Sequence, residues 1–334
     1  MKLLRTWHRR SIKALQAQVA HQSLQIAQLQ ESLERSMTLS AKILDRLPNE
    51  KPTLRSSGYQ VTSQFDDDGI LAYLASFIPP DRRQFVEFGV EDYTEANTRL
   101  LLKKDHWKGL VLDGSEQHID RIKQSDLAWK YGLDAVHAFI TAENINSLIA
   151  GAIGEPGQRA SQPVSKGVPI GLLSIDIDGN DYWVWKAIEC FDASVVVCEY
   201  NAIFGSEAAV TIPYDPSFER HKAHYSNLYF GCSLAALVDL ASEKGLRFIG
   251  CNLAGNNAYF VNQSFQIPVP TLTSREGFVA SQFREGRDQS GELLLKPLNN
   301  WLPELSMLPL VDLRTNTEIR VGDLSEVRSL ERAA

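Results

Sequence analysis

A chain of 334 residues with 44% hydrophobic and 22% charged residues can bury a substantial core, and it is long enough for one large domain with additions or for two domains. Its formal net charge of −7 argues against a duplex nucleic-acid binder, which needs concentrated Lys and Arg. The four cysteines, Cys190, Cys198, Cys232 and Cys251, form no CxxC pair, so neither a zinc knuckle nor a disulfide framework is expected and a reducing cytoplasm is the natural compartment.

The basic start, MKLLRTWHRRSIK, runs into glutamine-rich sequence. It offers neither the apolar core of a signal peptide nor a span for a bilayer, so secretion is not expected. From Ile12 the apolar residues fall on alternating steps of three and four: Ile12, Leu15, Val19, Ile26, Leu29, Leu33, Ile43 and Leu47. Gln22, Ser36 and Ser40 fill the remaining seam positions. This heptad seam predicts a coiled-coil helix over 1–48 and a homo-oligomer, the alternative being a single amphipathic helix lying on its own domain. Lys2, Arg5, Arg9, Arg10 and Lys13 form either a solvated basic end or a peripheral contact with an anionic membrane or partner. Residues 49–57 contain Pro52 and read as a linker.

Strands and helices then alternate. QFVEFG (84–89), GLVLDGS (109–115), LDAVHAFI (133–140), GLLSIDIDG (171–179) and SVVVCEYN (194–201) read as short apolar strands. Helices between them include the stretch from Ala96 and one over 144–149 with Thr141 as its N-cap. The pattern predicts an α/β fold, a parallel sheet covered on both faces. SLAALVDLASEKG (233–245) reads as a further helix, and RFIGCNL with NNAYFV as a hairpin around Ala254-Gly255-Asn256 that ends the sheet with an antiparallel edge. The tail after Pro268, broken by Pro270, Pro297, Pro303 and Pro309, is expected to be irregular and to serve as a cap or oligomer arm over 266–334.

In an open α/β sheet the ligand lies beyond the carboxyl ends of the strands. Glu87 and Gly89, then Asp113, Gly114 and Ser115, then Asp178 and Asn180, then Glu199 and Asn201 occupy such ends, so acids from four strands converge on one crevice. Gly89 would let backbone approach a ligand, and Asp113, 24 residues on, sits near the offset at which an acid accepts ribose hydroxyls. GVEDY, however, lacks the repeated glycines of a dinucleotide fingerprint, which disfavours a nicotinamide-dependent oxidoreductase.

The runs SQFDDDGILAYLASF, FVEFGVEDYTEANTRLLL, KGLVLDGS and LLSIDIDGNDYWVWKAI, in that order within about 61–261, resemble the FkbM-like group of S-adenosylmethionine-dependent methyltransferases. The resemblance implies the class I methyltransferase fold over 58–265: a Rossmann-like, doubly wound, mostly parallel seven-stranded sheet whose last strand is antiparallel. It implies O-methylation of a hydroxyl on a saccharide or glycoconjugate acceptor, with Glu87, Gly89 and Asn97 flanking the methionine end of the cofactor and Asp113, with Ser115, at the ribose. Two positions depart from the family: Tyr93 stands where a glycine is frequent, and Asp66 follows SQF where many relatives carry glycine.

Asp178, Glu199 and Asn201 then face the methyl group and the acceptor. Their oxygens would suit a divalent cation such as magnesium, similar to metal-dependent catechol-type O-methyltransferases, or a metal-free hydrogen-bonded network. Asn180 or Asp181 capping the next helix is a third reading. Asp176, deeper in the same strand, reads as support for the cofactor loop. Tyr182, Trp183 and Trp185 read as packing of a helix onto the sheet. In the long segment VTIPYDPSFERHKAHYSNLYFG (210–231), a lid by its length, His224 or else His221 is a candidate general base alongside Asp178. Arg275, Arg284 and Arg287 would pair with neighbouring acids or hold an acceptor phosphate. The alternative to an enzyme is a silent scaffold that recruits partners through its coiled coil, a reading motivated by Tyr93.

Overall fold

The computed structural model describes residues 2–46, 53–152 and 167–324; the seam residue Leu47, the linker residues 49–52 and the last ten residues lie outside them. The chain divides into two units, 1–48 and 49–334. The first is one helix, Lys2–Leu44. No Gly or Pro interrupts it, and its length is about 65 Å. The hydroxyls of Ser32, Ser36, Thr38 and Ser40 donate to carbonyls four residues back, which satisfies polar groups that otherwise compete with the helix. No described helix is long and apolar enough to cross a membrane.

The second unit is built on β1 (Gln84–Phe88), β2 (Lys108–Asp113), β3 (Leu133–His137), β4 (Val168–Ile175) and β5 (Phe191–Glu199). After β6 (Val210–Thr211) come β7 (Leu246–Cys251) and β8 (Asn257–Asn262), then β9 (Pro309–Asp312) and β10 (Thr317–Arg320). The large sheet has seven strands in the order β3-β2-β1-β4-β5-β8-β7. All neighbours are parallel except β8, which is antiparallel to β5 and β7. This is the class I methyltransferase topology, and the α/β expectation holds. The antiparallel strand is not the edge, though. The β7–β8 hairpin folds back so that β8 is inserted beside β5, because Ala258 to Val261 is apolar and fully buried, an interior strand by composition.

Side chains alternate between the two faces, as the pleat requires. Val86, Phe88, Leu173, Ile175, Val196 and Cys198 enter one core. Phe85, Leu172, Val195, Val197, Tyr259 and Val261 enter the other. The aromatic run after β4 behaves as packing: Tyr182 and Trp185 are buried on the helix Asp181–Ala187, and Trp183 donates its indole N–H to the Ile212 carbonyl. All four cysteines are buried and unbridged.

Two segments are more ordered than their sequences suggest. Residues 54–57, expected as linker, form one helical turn capped by Thr53, with Leu54 buried in the second core. In the proline-broken tail, β9 and β10 join β6 in a three-stranded antiparallel sheet over a third core that includes Trp301 and Leu310. The tail thereby fastens the segment after β5, which forms one wall of the site.

Candidate active site

A cavity of about 460 Å³ opens at the carboxyl ends of β1, β4 and β5. That volume is ordinary for a small-molecule or cofactor site. Its lining holds eight acidic side chains and one arginine among the described residues, so its field favours cationic ligands.

On the β1 side the acids are committed to the backbone. Glu87 is buried and accepts the N–H groups of Asn97 and Thr98 and the Thr98 hydroxyl, with Ser174 Oγ at 3.4 Å. Burial raises its pKa to about 7 despite these donors. Asp113 accepts the Glu91 N–H at 2.8 Å and the Ser115 N–H at 2.7 Å, and His118 Nδ1 lies 3.4 Å away. Both acids brace the loop between Gly89 and Thr98.

Gly89 is demanded by the protein itself. Its φ is +69°, and a Cβ there would lie 1.7 Å from the Asp176 carbonyl oxygen, so it is glycine because β4 runs against it and not only for a ligand. Tyr93, at φ +67°, holds the left-handed conformation a glycine favours, but its ring is fully buried in the second core and its hydroxyl meets Thr98 Oγ1 at 2.8 Å. It does not line the cavity. Asp66, the other departure, accepts the Leu253 N–H at 3.0 Å and is likewise outside the lining.

On the β4–β5 side the acids face one another. Asp176, Asp178 and Glu199 each bring a carboxylate oxygen within 4.8 Å of the others. Glu199 is only 6% exposed, and its Oε2 has no hydrogen-bond partner. Burial first, and then repulsion from neighbouring acids, pushes the pKa of both Asp176 and Glu199 well up: Asp178 and Asp181 act on Asp176, and Asp176 and Asp178 act on Glu199; the charge of Arg220 opposes the rise in both, and a hydrogen bond with Glu199 opposes it in Asp176. Such a pair holds one proton between two carboxyls more readily than none. Asp178, at φ +56°, is exposed and paired to Arg220.

Arg220 organises this side. Its guanidinium pairs with Asp178 and Glu285, donates to the Asn227 carbonyl at 2.5 Å and lies 3.7 Å over the Phe230 ring. Burial works against its charge, yet Glu199, Asp178 and Glu285 outweigh that and hold it protonated. Opposite, Phe65 stacks on Phe283 with centroids 5.6 Å apart. Beside them buried Asp67 accepts from Tyr259, Asn257 and Asn252.

The structure therefore gathers Glu87, Gly89, Asn97, Asp176, Asp178 and Glu199 at one cavity and leaves other expected residues out of its lining. Asn201 is not available as a metal ligand: its Oδ1 accepts the Ile203 N–H and its Nδ2 donates to the Leu228 and Phe230 carbonyls. Of the expected metal set, Asn201 therefore drops out, while Asp178 and Glu199 stand together with Asp176 as the oxygen cluster that could hold a cation. Asp113 is not a lining residue but accepts the N–H of Glu91, which is, and Ser115 caps the helix Glu116–Gln124 through its hydroxyl. His221 is exposed beside Glu219 at 3.5 Å. His224 meets Ser226 Oγ at 2.7 Å, and burial lowers its pKa, opposed by Glu304 in the tail. Neither histidine lines the cavity, because the one-turn helix Arg220–Ala223 presents Arg220 instead.

Asp181 folds back to accept the Ile177 and Gly179 N–H groups, and Asn180 makes no side-chain cap bond. Arg275 pairs with Glu207, while Arg284 and Arg287 donate to the Leu295 and Gly291 carbonyls; none of the three is a lining residue, although the charge of Arg287 reaches Glu285, which is. Arg220, Asp67, Asn256, Asn257, Phe283 and Glu285 are lining residues that sequence reasoning did not single out. Charge balance signals one of them: four acid-bearing strand ends call for a cation, and Arg220 stands in the segment that follows β5.

No protein-family model and no curated protein matches the chain. Among solved structures it is similar to the N-terminal domain of EvdMO1 with SAH bound, at 12% identity over 68% of this chain and 94% of that one, with a TM-score of 0.37. It is also similar to an O-methyltransferase from Bacillus cereus in complex with SAH, at 13% identity over 68% and 91%, with a TM-score of 0.36. Likeness at this level says nothing about the chemistry of this chain.

Proposed function

We propose that the protein is an S-adenosylmethionine-dependent O-methyltransferase acting on a hydroxyl of a saccharide or glycan-type acceptor. The observation that carries the proposal is one acid-rich cavity at the carboxyl ends of β1, β4 and β5 of a class I methyltransferase sheet, with the unpartnered Glu199 Oε2 in a lining residue. The lining suits a cofactor bearing sulfonium and ammonium charges. Glu91 and Glu95, exposed on the loop after β1, and the backbone near Gly89 and Asn97 would hold it, and Asp113 keeps two unused lone-pair sites for a ribose hydroxyl. When bound, the cofactor supplies an electrophilic methyl group.

The remaining work falls to side chains. Phe65 and Phe283 offer an apolar wall to one face of an acceptor. The Asp176–Glu199 pair takes the proton of the acceptor hydroxyl, and the hydrogen bond between the two carboxyls stabilises the protonated form. Arg220 pairs with both Asp178 and Glu285 and offsets one of their two charges, so part of the positive charge a divalent ion would bring is already in place, and the metal-free network is the form of the site we adopt. Tyr93, the residue that motivated the silent-scaffold alternative, is buried in the core and gives it no support.

The test is transfer of tritium-labelled methyl from S-adenosylmethionine to a panel of reducing sugars and glycosides, with and without excess chelator. Label on a saccharide oxygen at equal rates in both conditions is expected. Transfer abolished by chelator would replace the network with a metal site, and a protein that binds cofactor yet labels no hydroxyl would return the scaffold reading.

A further inference from the structure

Independently of the catalytic reading, the first unit carries a surface that calls for a partner. Seven apolar seam residues of the helix Lys2–Leu44, from Ile12 at 47% to Leu29 at 70%, stand exposed along one stripe. At the area equivalents of their transfer energies they leave on the order of 500 Å² of apolar surface in water. An apolar stripe of that total area, interrupted at Gln22 and at Ser36 and Ser40, marks an interaction site.

We propose that the occupant is the same helix of a second copy of this chain, in a parallel, in-register, two-stranded coiled coil. Ile12, Val19 and Ile26 take the first seam position of their heptads and Leu15 and Leu29 the fourth, the β-branched and γ-branched arrangement that favours two parallel strands; Leu33 at the first position and Ile43 at the fourth reverse it, so the preference is carried by the stretch from Ile12 to Leu29. The flanking positions decide the partner. Gln16, Gln18, Ser23, Gln25, Gln30, Ser32, Met37, Leu39 and Leu44 carry no charge; Lys13, Glu31, Glu34, Arg35 and Lys42 all lie farther from the seam. Between Ile12 and Ile43 identical helices therefore meet without like-charge repulsion at the seam edges, and a charged partner would find nothing to pair with there; the basic start before Ile12 and Arg46 beside Leu47 lie outside that stretch.

The polar layers decide the direction. In parallel register Gln22 meets Gln22 of the partner copy and can exchange hydrogen bonds with it, while Ser36 and Ser40 meet their own kind. An antiparallel pair aligned from Ile12 to Ile43 would set Gln22 against Leu33, Ser36 against Val19 and Ser40 against Leu15. The buried glutamine amide would then lack a partner. Ser36 and Ser40 add little to this choice, since each already donates to its own helix.

The test uses the full-length chain. Light scattering should give twice the 37.3 kDa chain mass, and Leu29→Glu, which puts a charge in the seam, should halve it. Direction is read from mild oxidation of Leu15→Cys and Ser40→Cys; the natural cysteines are at most 8% exposed and stay silent. Each variant alone should cross-link to a dimer, and Leu24→Cys, on the opposite face, should not. A wild-type monomer, a mass of three or more chains, or cross-links that form only when Leu15→Cys and Ser40→Cys are mixed would each overturn the proposal.

Discussion

The two sides of the cavity use the same residue types for different ends. At the ends of β1 and β2, each oxygen of Glu87 and Asp113 accepts a backbone N–H and the pair fixes a loop, with Asp113 keeping lone pairs free. At the ends of β4 and β5, Asp176 and Glu199 have each other, Asp178 and one shared cation, and an oxygen of Glu199 is left without a donor. A carboxyl with both oxygens engaged by the donors of a loop holds that loop in place. One held at raised pKa with an unanswered oxygen is equipped to move a proton.

Substitutions should separate the sides. Glu199→Gln is expected to lower methyl transfer by roughly 10²–10⁴-fold, the usual worth of a positioned base, while thermal stability stays level or rises because a buried repulsion is relieved. Asp176→Asn should act in the same direction but less strongly. Comparable losses of melting temperature in these variants would erase the distinction.

Glu87→Gln should show its effect in stability against pH. The folded-state pKa of Glu87 is raised to about 7 from 4.5. Its contribution is therefore fully present below about pH 4.5 and is lost as pH rises through 7. Wild type minus variant should fall by about 3 kcal/mol across that window in urea titrations, since glutamine does not titrate. A difference that stays flat from pH 4.5 to 8 would show that Glu87 ionises normally. Asp113→Asn comes next: it replaces an acceptor of two backbone N–H groups and should cost about 2 kcal/mol of stability together with cofactor affinity. The smallest effects belong to His221→Ala and His224→Ala, each expected to change transfer by less than about threefold. A loss of a hundredfold in either would return the base to the lid segment.

Much of this was legible in the sequence, for identifiable reasons. Strands β1, β2, β4 and β5 announce themselves because a parallel strand buried on both faces must be a short unbroken apolar run, and acids directly after such runs must sit at the sheet's carboxyl edge. The order of β7 and β8 was less legible, since a hairpin read from sequence does not say which arm pairs with β5. Asn201 misled because alternation places it on the face of Glu199 only while the strand persists; β5 ends at Glu199, and Asn201 caps a 3-10 turn instead. The histidines misled because titration range was weighed without position, and the residue just before His221 is the one the turn presents. Phe283 and Glu285 reach the cavity from more than eighty residues beyond β5, through a tail ordered by pairing with β6, which no local pattern encodes.

The central claim is that this acid-lined cavity is a cofactor site whose chemistry lies on the β4–β5 side. Calorimetric titration of S-adenosylmethionine into wild type and Glu199→Gln tests it most directly. One-to-one binding in both, within a few-fold of each other, is the expected result. No heat of binding from folded wild-type protein would contradict the claim.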